Sequence, residues 1–177
     1  MTDRKAFYYN NDKSKPVTAA GLIIYKFEED KMKLLLIESR GQYEDIGGRV
    51  DEDDKTIIDT VVREVYEESN KLIKRKNTRK KLQDAPSVYN AKCKYVVYFI
   101  EATKRQKEMT KKDFGDKELH DNIKRTISWI DTDVVNDSKI VKYKLAWRLK
   151  YYPVLNQIKK IKEQHQIKKV FSSEDSP

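Results

Sequence analysis

Three glutamates, Glu64, Glu67 and Glu68, have the three- and four-residue spacing that brings side chains together on one face of an α-helix. Like charges at this spacing destabilise a helix by about 0.2–0.5 kcal/mol per pair unless a cation neutralises them. Mg²⁺ and Mn²⁺ are hard cations that prefer oxygen ligands, and Mg²⁺ commonly combines one or two carboxylates with waters and substrate phosphate oxygens. The three glutamates therefore predict a divalent-metal site.

A helix over residues 55–69 would place these acids and its apolar side chains on different faces. At about 100° per residue, the apolar positions cluster roughly 120° away from the glutamates. These positions are Ile58, Val61, Val62 and Val65. An isolated E-x-x-E-E pattern is more typical of a solvated helix face, but Arg63 and the predicted flexible loop at Gly47-Gly48 favour the metal site.

The glycine, the arginine and the glutamates together resemble the signature of the Nudix hydrolases, G-x5-E-x7-R-E-U-x-E-E-x-G-U, in which U is an aliphatic residue. In this chain Gly48 precedes the run Arg63-Glu64-Val65-Tyr66-Glu67-Glu68. The second half of the signature matches at every position through Glu68, and so many fixed positions rarely coincide by chance. The resemblance implies a Mg²⁺- or Mn²⁺-dependent enzyme that hydrolyses a pyrophosphate linkage.

The chain departs from this signature at two positions. Counted forward from the glycine, the first glutamate of the signature falls on Asp54, and counted back from the arginine it falls on Lys55, so the loop is one residue longer and holds no glutamate. We expect Asp53 or Asp54 to substitute as the N-cap of the helix, and we assign Asp54 to the structural support of the site. Asn70 replaces the glycine, and asparagine also tolerates the left-handed conformation that ends helices.

The resemblance also implies a role for each matching residue. Glu67 and Glu68 are the main metal ligands, and the carbonyl of Gly48 is a further metal contact. Glu64 is a ligand or the base that activates water. Arg63 has a structural role, because in the family it pairs with a carboxylate and holds the acidic cluster in place. The metal neutralises the diphosphate and lowers the pKa of a bound water that attacks phosphorus.

Further along the chain, a charged loop between residues 101 and 122 contains Glu118. Nudix enzymes often draw one more metal ligand or general base from such a loop. Glu118 is therefore our candidate for this role, and the alternative is that it is a solvent-exposed loop acid.

The rest of the sequence predicts the elements that position the site. Runs of aliphatic and aromatic residues predict strands over residues 17–27, 33–37, 88–100 and 126–131. A helix between strands, with more helix after the last one, argues for a mixed sheet covered on both faces. The fold class is therefore α/β, and the resemblance implies the Nudix α/β/α sandwich with a mixed β-sheet.

Composition divides the chain into four parts. Residues 1–16 form a polar N-terminal leader, whose Phe7-Tyr8-Tyr9 could dock on the domain or on a substrate base. The resemblance implies that residues 17–138 form the Nudix hydrolase domain. We expect residues 139–170 to be a basic C-terminal helical segment that packs on it, and residues 171–177 to be a disordered tail. The single cysteine, Cys93, permits no internal disulfide, and we expect it to be a small buried side chain in a strand.

The net charge of +9 must come from residues outside the acidic site. Residues 71–81 contain seven lysines and arginines and no acid, and residues 139–169 interleave aromatic residues with lysines. A cationic surface with aromatics suits a polyanion that carries bases. The alternatives are a lysine-rich surface and an amphipathic tail helix. Our candidate residues for binding substrate or RNA are Arg49, Lys74, Arg75 and Lys76.

These observations lead to a function with an open substrate. We expect a pyrophosphohydrolase acting on a nucleoside diphosphate linked to another group, with capped mRNA as the leading specific substrate and decapping as the reaction. Diphosphoinositol polyphosphates and small nucleotides are alternatives, and a Nudix module that binds a phosphorylated ligand or RNA without cleaving it is another. Tyr43, Tyr89 and Trp129 are candidates for stacking on a base or for the core.

The sequence also bears on location and partners. It contains no secretory apolar segment near its start and no apolar run of about 18 residues. We therefore expect a cytoplasmic protein, with a nuclear address as the alternative, and neither a membrane nor an obligate protein partner is evident.

Overall fold

A computed structural model describes residues 5–118, 123–133, 137 and 144–174, with side chains through residue 172. The strands are β1 (Phe7–Tyr8), β2 (Pro16–Val17), β3 (Ala19–Glu28), β4 (Lys31–Ser39), β5 (Gln42–Glu44), β6 (Ile46–Arg49), β7 (Ser87–Asn90), β8 (Tyr95–Glu101) and β9 (Thr126–Asp131). The helices are α1 (Ile57–Glu68), α2 (Arg75–Leu82), α3 (Lys104–Lys107), α4 (Lys111–Phe114) and α5 (Tyr152–Glu174).

Strand β3 organises a seven-stranded mixed sheet, in which β5, β4, β3, β8 and β7 lie side by side. Its first half pairs antiparallel with β6 and its second half with β4, while β8 runs parallel along its other edge. Strand β9 pairs with β4. Most of β3 is buried because the sheet is covered on both faces, which explains its nearly continuous apolar sequence.

The two faces of the sheet pack against different helices. On one face, Val61, Val62 and Val65 of α1 belong to a buried cluster with side chains of β3, β4 and β8. On the other face, Val154 and Ile158 of α5 belong to a second buried cluster with alternate residues of the same strands. The structure therefore confirms the predicted α/β/α sandwich with a mixed sheet.

The elements of the structure differ from those expected at three places along the chain. Residues 88–100 form the hairpin of β7 and β8, because a polar turn interrupts the apolar run, and the Asn90 side chain accepts a hydrogen bond from the Lys92 amide there. Cys93 lies half-buried in this turn, so our expectation of a buried strand residue is wrong. Gly47 and Gly48 lie in β6, where a loop was expected. Helix α2 was missed because only Thr78 and Leu82 of its eight residues are buried, which leaves little apolar periodicity.

Both ends of the described chain contact the domain. Strand β1 pairs with β2, and the ring of Tyr9 stacks on that of Tyr89 with centroids 5.5 Å apart. Helix α5 continues to Glu174, past the residue 170 boundary expected from the sequence. Residues 1–4, 175–177 and the expected boundary at residues 138 and 139 lie outside the described residues. None of the helices that the structure describes has the length and apolar character needed to cross a membrane.

The packing of α5 can be tested with one substitution at two positions of that helix. Ile158 is 6% exposed and Ile167 is 56% exposed. Ile158→Ala should lower the free energy of unfolding by about 3 kcal/mol through loss of apolar burial and creation of a cavity. Ile167→Ala should change it by less than about 0.5 kcal/mol. Urea unfolding monitored by circular dichroism measures both, and equal effects would contradict the packing of α5 on the sheet.

Candidate metal site and the neighbouring cavity

Helix α1 turns its apolar face to the sheet and its glutamates to the end of β6. It begins after Thr56, whose hydroxyl oxygen accepts a hydrogen bond from the Asp59 amide at 3.1 Å. The expectation that Asp53 or Asp54 caps the helix is therefore wrong. The cap lies two residues beyond Asp54, and the Asp59 carboxylate secures it by accepting hydrogen bonds from the Thr56 hydroxyl at 3.0 Å and the Lys55 amide at 3.1 Å.

Arg63 connects the loop before α1, the end of β6 and the glutamates of α1. Its guanidinium donates to both carboxylate oxygens of Asp54, at 3.1 and 3.0 Å, and to Glu64 Oε1 at 2.8 Å. It also donates to the carbonyl of Arg49 at 2.8 Å and lies 3.4 Å from Glu67 Oε2. One cation thus orients two of the three glutamates while it fixes the position of β6 relative to α1.

The structure separates the roles of the two loop aspartates. Asp54 is buried and accepts further hydrogen bonds from the Thr60 hydroxyl at 2.8 Å and the Asp51 amide at 2.9 Å. Burial by itself would raise the pKa of Asp54, but the hydrogen bonds and the charge of Arg63 outweigh it and hold the pKa below its ordinary value. Asp53 is exposed. The contacts with Arg63 are thus made by Asp54, the residue assigned to structural support.

Four carboxylates share a small cavity of about 260 Å³ at the end of α1. Glu118 joins the three glutamates of α1 there, although it comes from a segment about 50 residues further along the chain. The described residues that line it are Gly47, Gly48, Arg49, Glu64, Glu67, Glu68 and Glu118. A Cβ atom at Gly48 would lie 2.4 Å from the Glu64 carboxyl carbon, so a larger residue here would push that carboxylate out of its present position.

The surrounding protein compensates the charge of Glu68 only in part. Its Oε2 atom is buried and has no hydrogen-bond partner among the residues that the structure describes. Burial, followed by the charges of Glu64, Glu118 and Asp45, raises the pKa of Glu68 well above its ordinary value. Burial also raises the pKa of Glu64, against the opposing charge of Arg63. The arrangement keeps negative charge at a place where water cannot solvate it fully.

These residues fit a hard divalent cation. An unpartnered buried carboxylate oxygen and three more carboxylates provide the oxygen donors that Mg²⁺ or Mn²⁺ prefers. Within the described parts of the chain, no three acidic, histidine or cysteine side chains already have the arrangement of a metal site. Binding would therefore require small side-chain movements that draw the glutamates towards the ion.

A larger cavity of about 640 Å³ adjoins the acidic one, and both are lined by Gly48 and Arg49. Lys5 reaches it from the N-terminal segment, Cys93 from the hairpin turn, and Trp147 and Arg148 from the segment before α5. Its other lining residues are Thr18, Ala19, Val50, Glu52 and Tyr95. The Trp147 ring is 58% exposed. The cavity thus offers cations and a free aromatic surface directly beside the carboxylates.

A buried ionic cluster that the sequence does not predict supports this larger cavity. Arg148 donates from Nε to Asp45 Oδ1 at 2.5 Å and from Nη2 to Glu44 Oε2 at 3.1 Å. The Tyr95 hydroxyl donates to Asp45 Oδ2 at 2.7 Å. A Cβ atom at Gly21 would lie 2.0 Å from that oxygen. A glycine inside a buried strand was the one available signal, because such a residue often marks a close approach.

The other candidates for substrate binding lie elsewhere. Lys74, Arg75 and Lys76 are exposed at the start of α2 and line neither cavity, and the Arg75 guanidinium lies 4.4 Å from the centre of the Tyr66 ring. Arg49 lines both cavities. The three aromatic candidates for stacking on a base are packed against the two cores and line neither cavity. These residues are Tyr43, Tyr89 and Trp129.

Comparisons with known proteins bear on the fold that carries this site. A family model described as NUDIX domain matches residues 15–150. The NUDIX domain of Shewanella oneidensis NrtR, solved in complex with ADP ribose, is 12% identical over 87% of this chain and 92% of that chain, with a TM-score of 0.51. A C. elegans Ap4A hydrolase binary complex is 18% identical over 85% of this chain and 98% of that chain, with a TM-score of 0.47. No curated protein sequence matches the chain.

The ion pair of Asp54 and Arg63 predicts different effects for two neighbouring substitutions. Asp54→Asn should lower the free energy of unfolding by about 2 kcal/mol near neutral pH, because it leaves Arg63 without its main partner. Asp53→Asn, the matched control, should change it by less than about 0.5 kcal/mol. An acid with a depressed pKa stabilises the fold above its ordinary pKa and loses that contribution as the pH falls through its folded-state pKa. The difference between wild type and Asp54→Asn should therefore shrink on acidification in urea titrations. Equal effects of the two substitutions would contradict the pairing.

The repulsion at Glu68 predicts a substitution that stabilises the metal-free protein. An acid whose pKa is raised by folding destabilises the fold once the pH exceeds its unfolded-state pKa. Glu68→Gln should therefore raise the melting temperature in EDTA at neutral pH, and it should reduce the further rise that Mn²⁺ causes in wild type. Glu163→Gln, on an exposed part of α5, controls for the change in net charge. A lower melting temperature for Glu68→Gln in EDTA would refute the repulsion.

Proposed function

The chain belongs to the Nudix family, and from this we propose that it is a Mg²⁺- or Mn²⁺-dependent pyrophosphohydrolase that cleaves a diphosphate linkage between a nucleoside and another group. The observation that carries the proposal is the convergence of Glu64, Glu67, Glu68 and Glu118 on one cavity, where a buried carboxylate oxygen has no protein partner. A binding module that does not act on phosphate anhydrides has no chemical need for such a repulsive cluster.

The four carboxylates would have different roles. Glu67 and Glu68 would be the main metal ligands, and the Gly48 carbonyl would be a further one. Glu64 would be a ligand or the base that takes a proton from the attacking water, and Glu118 would supply one more ligand or the base. A bound Mg²⁺ or Mn²⁺ supplies charge neutralisation for the diphosphate and lowers the pKa of a coordinated water.

Arg63 and Asp54 have a positioning role in this proposal. Arg63 donates to Glu64 and lies beside Glu67, so that neither glutamate can rotate freely away from the cavity. Asp54 in turn fixes the guanidinium with two hydrogen bonds. Outer contacts of this kind orient metal ligands before the substrate arrives, which lowers the entropic cost of assembling the site.

The larger cavity is our candidate site for the substrate. Because Gly48 and Arg49 line both cavities, a diphosphate can extend from the carboxylates into the larger space. Lys5 and Arg49 would place positive charge opposite its oxygens. The exposed Trp147 ring would stack on a base, an interaction worth about 1–3 kcal/mol per base. These groups favour a nucleotide-linked diphosphate as the substrate.

Capped RNA is the leading specific candidate for the group beyond the diphosphate. Its support is the net charge of +9 and the exposed cations Lys74, Arg75 and Lys76. Since these side chains lie outside both cavities, they would contact a long polyanion more readily than a small nucleotide. The ADP ribose bound by the NrtR domain is a small nucleotide, which makes that compound the natural competing substrate to assay.

The decisive experiment is product analysis with Mg²⁺ and then Mn²⁺. The substrates are cap-labelled RNA, free cap dinucleotide, ADP-ribose, diadenosine polyphosphate, a diphosphoinositol phosphate and nucleoside triphosphates. Glu67→Gln should lower turnover at least roughly 100-fold, because loss of a ligand exceeds the 10–100-fold effect typical of outer contacts. Glu163→Gln, the matched control on α5, should retain full turnover.

The products distinguish the candidate substrates. Release of a nucleoside diphosphate from capped RNA and not from the free cap dinucleotide would establish decapping. Cleavage of small molecules alone would assign the exposed cations to an ordinary lysine-rich surface. Comparable turnover by Glu67→Gln would refute the metal site, and the absence of any metal-dependent product would favour the binding module.

A further inference from the structure

Glu118 reaches the acidic cavity from a short segment, residues 114–118, that has no regular secondary structure of its own beyond the last residue of α4. Backbone contacts secure it only in part. The Arg125 amide donates to the Asp116 carbonyl at 2.9 Å, and the Glu118 amide donates to the Ile123 carbonyl at 3.3 Å. Something else must hold this segment against α1, because the three glutamates it faces repel Glu118.

Asn70 makes that connection from the end of α1. Its side-chain amide nitrogen donates to the Phe114 carbonyl at 2.7 Å and to the Lys117 carbonyl at 3.0 Å. Both protons of the amide are therefore used, and the two acceptors bracket the turn that leads to Glu118. Asn70 follows Glu68 by two residues, so the same helix end carries both a candidate metal ligand and the clamp on the fourth carboxylate.

Arg125 secures the same segment from the other side. It is 2% exposed, and its Nη1 donates to the carbonyls of Phe114 and Gly115 at 3.1 and 3.0 Å. Its Nη2 donates to the Glu68 carbonyl. The carbonyl oxygens of residues 114, 115 and 117 thus accept side-chain hydrogen bonds that tie the segment to the end of α1. Arg125 also places positive charge near Glu68 and Glu118, which offsets part of their repulsion.

The backbone at Asn70 explains why this residue can replace the signature glycine. Its φ is 51°, in the left-handed region where glycine is favoured and asparagine is tolerated better than most side chains. Glycine at this position would complete the helix end equally well, but it would donate no hydrogen bonds to the Glu118 segment. The departure from the signature therefore adds a contact and keeps the turn.

We propose that Asn70 is a positioning residue that holds Glu118 in the acidic cavity by clamping the carbonyls of Phe114 and Lys117. The inference rests on the proposed function, because Glu118 needs this placement only if it serves the metal site. The clamp connects the end of α1, which carries the signature residues, to Glu118, which lies outside the signature. Asn70 itself touches neither substrate nor metal in this account.

The test begins with the metal-free protein and the variant Asn70→Gly. Loss of two hydrogen bonds should speed amide hydrogen exchange in the peptide covering residues 111–118 roughly 10-fold. Peptides from α5 should be unchanged. Asn10→Gly is the matched control, since Asn10 is exposed and has a similar φ of 52°. Unchanged exchange at residues 111–118 in Asn70→Gly would overturn the clamp.

Titration with Mn²⁺, followed by calorimetry, then tests whether the clamp acts through Glu118. Asn70→Gly should weaken Mn²⁺ binding roughly 10-fold, as changes in outer contacts of metal sites do. In a Glu118→Gln background the same substitution should change the affinity less than about 2-fold, because the group it positions is gone. An equal loss in both backgrounds would overturn the inference and assign Asn70 to the helix end alone.

These measurements need no substrate, which separates the inference from the proposed function. If wild type binds Mn²⁺ and hydrolyses its substrate while Asn70→Gly matches it in exchange and affinity, the inference alone fails. If wild type binds no Mn²⁺, the proposed function fails and the role of Asn70 fails with it.

Discussion

Electrostatic repulsion among closely packed carboxylates is the constraint on which the rest of this structure depends. Glu64, Glu67, Glu68 and Glu118 line one small cavity, and one oxygen of Glu68 is buried without a partner. The fold tolerates this arrangement because Arg63 lies against two of the acids and is itself fixed by Asp54. The residual repulsion would favour a divalent cation at this site, since a metal ion would remove a cost that the protein leaves uncompensated.

The sandwich supplies the rigidity that such a site requires. Helix α1 is held by three buried valines against the sheet, and β6 approaches it so closely that a side chain in place of Gly48 would displace the Glu64 carboxylate. Residues far from α1 in sequence line the neighbouring space, because Lys5 and Arg148 both line the larger cavity beside β6. A cavity lined by segments so distant in sequence depends on the packing of the N-terminal segment and of α5 against the sheet.

Several features could be predicted from the sequence because their signals are local. The spacing of the three glutamates and the apolar residues between them indicated α1, and the family resemblance that the domain match confirms indicated the sandwich. Glu118 was named as a candidate from its loop, and the structure brings it to the acidic cavity, while its chemical role stays a prediction. The cluster of Asp45, Tyr95 and Arg148 could not be predicted, because its residues have no fixed spacing. Asp45 and Tyr95 meet through the pairing of β6 and β8 with β3, and Arg148 is placed by backbone hydrogen bonds between Tyr43 and residues 144 and 146. The Thr56 cap does not follow from the predicted helix over residues 55–69, because the structure begins α1 only at Ile57.

The central claim is that the acidic cavity binds a divalent cation, and anomalous X-ray scattering from crystals grown with Mn²⁺ tests it most directly. The account predicts an anomalous difference peak within about 2.0–2.6 Å of oxygens from Glu67 and Glu68, the range of hard-cation contacts. The Gly48 carbonyl should face the same peak. The crystals should contain Mn²⁺ at a concentration that stabilises the protein in solution. The absence of a peak in this cavity, or a peak only at other surface acids, would contradict the account.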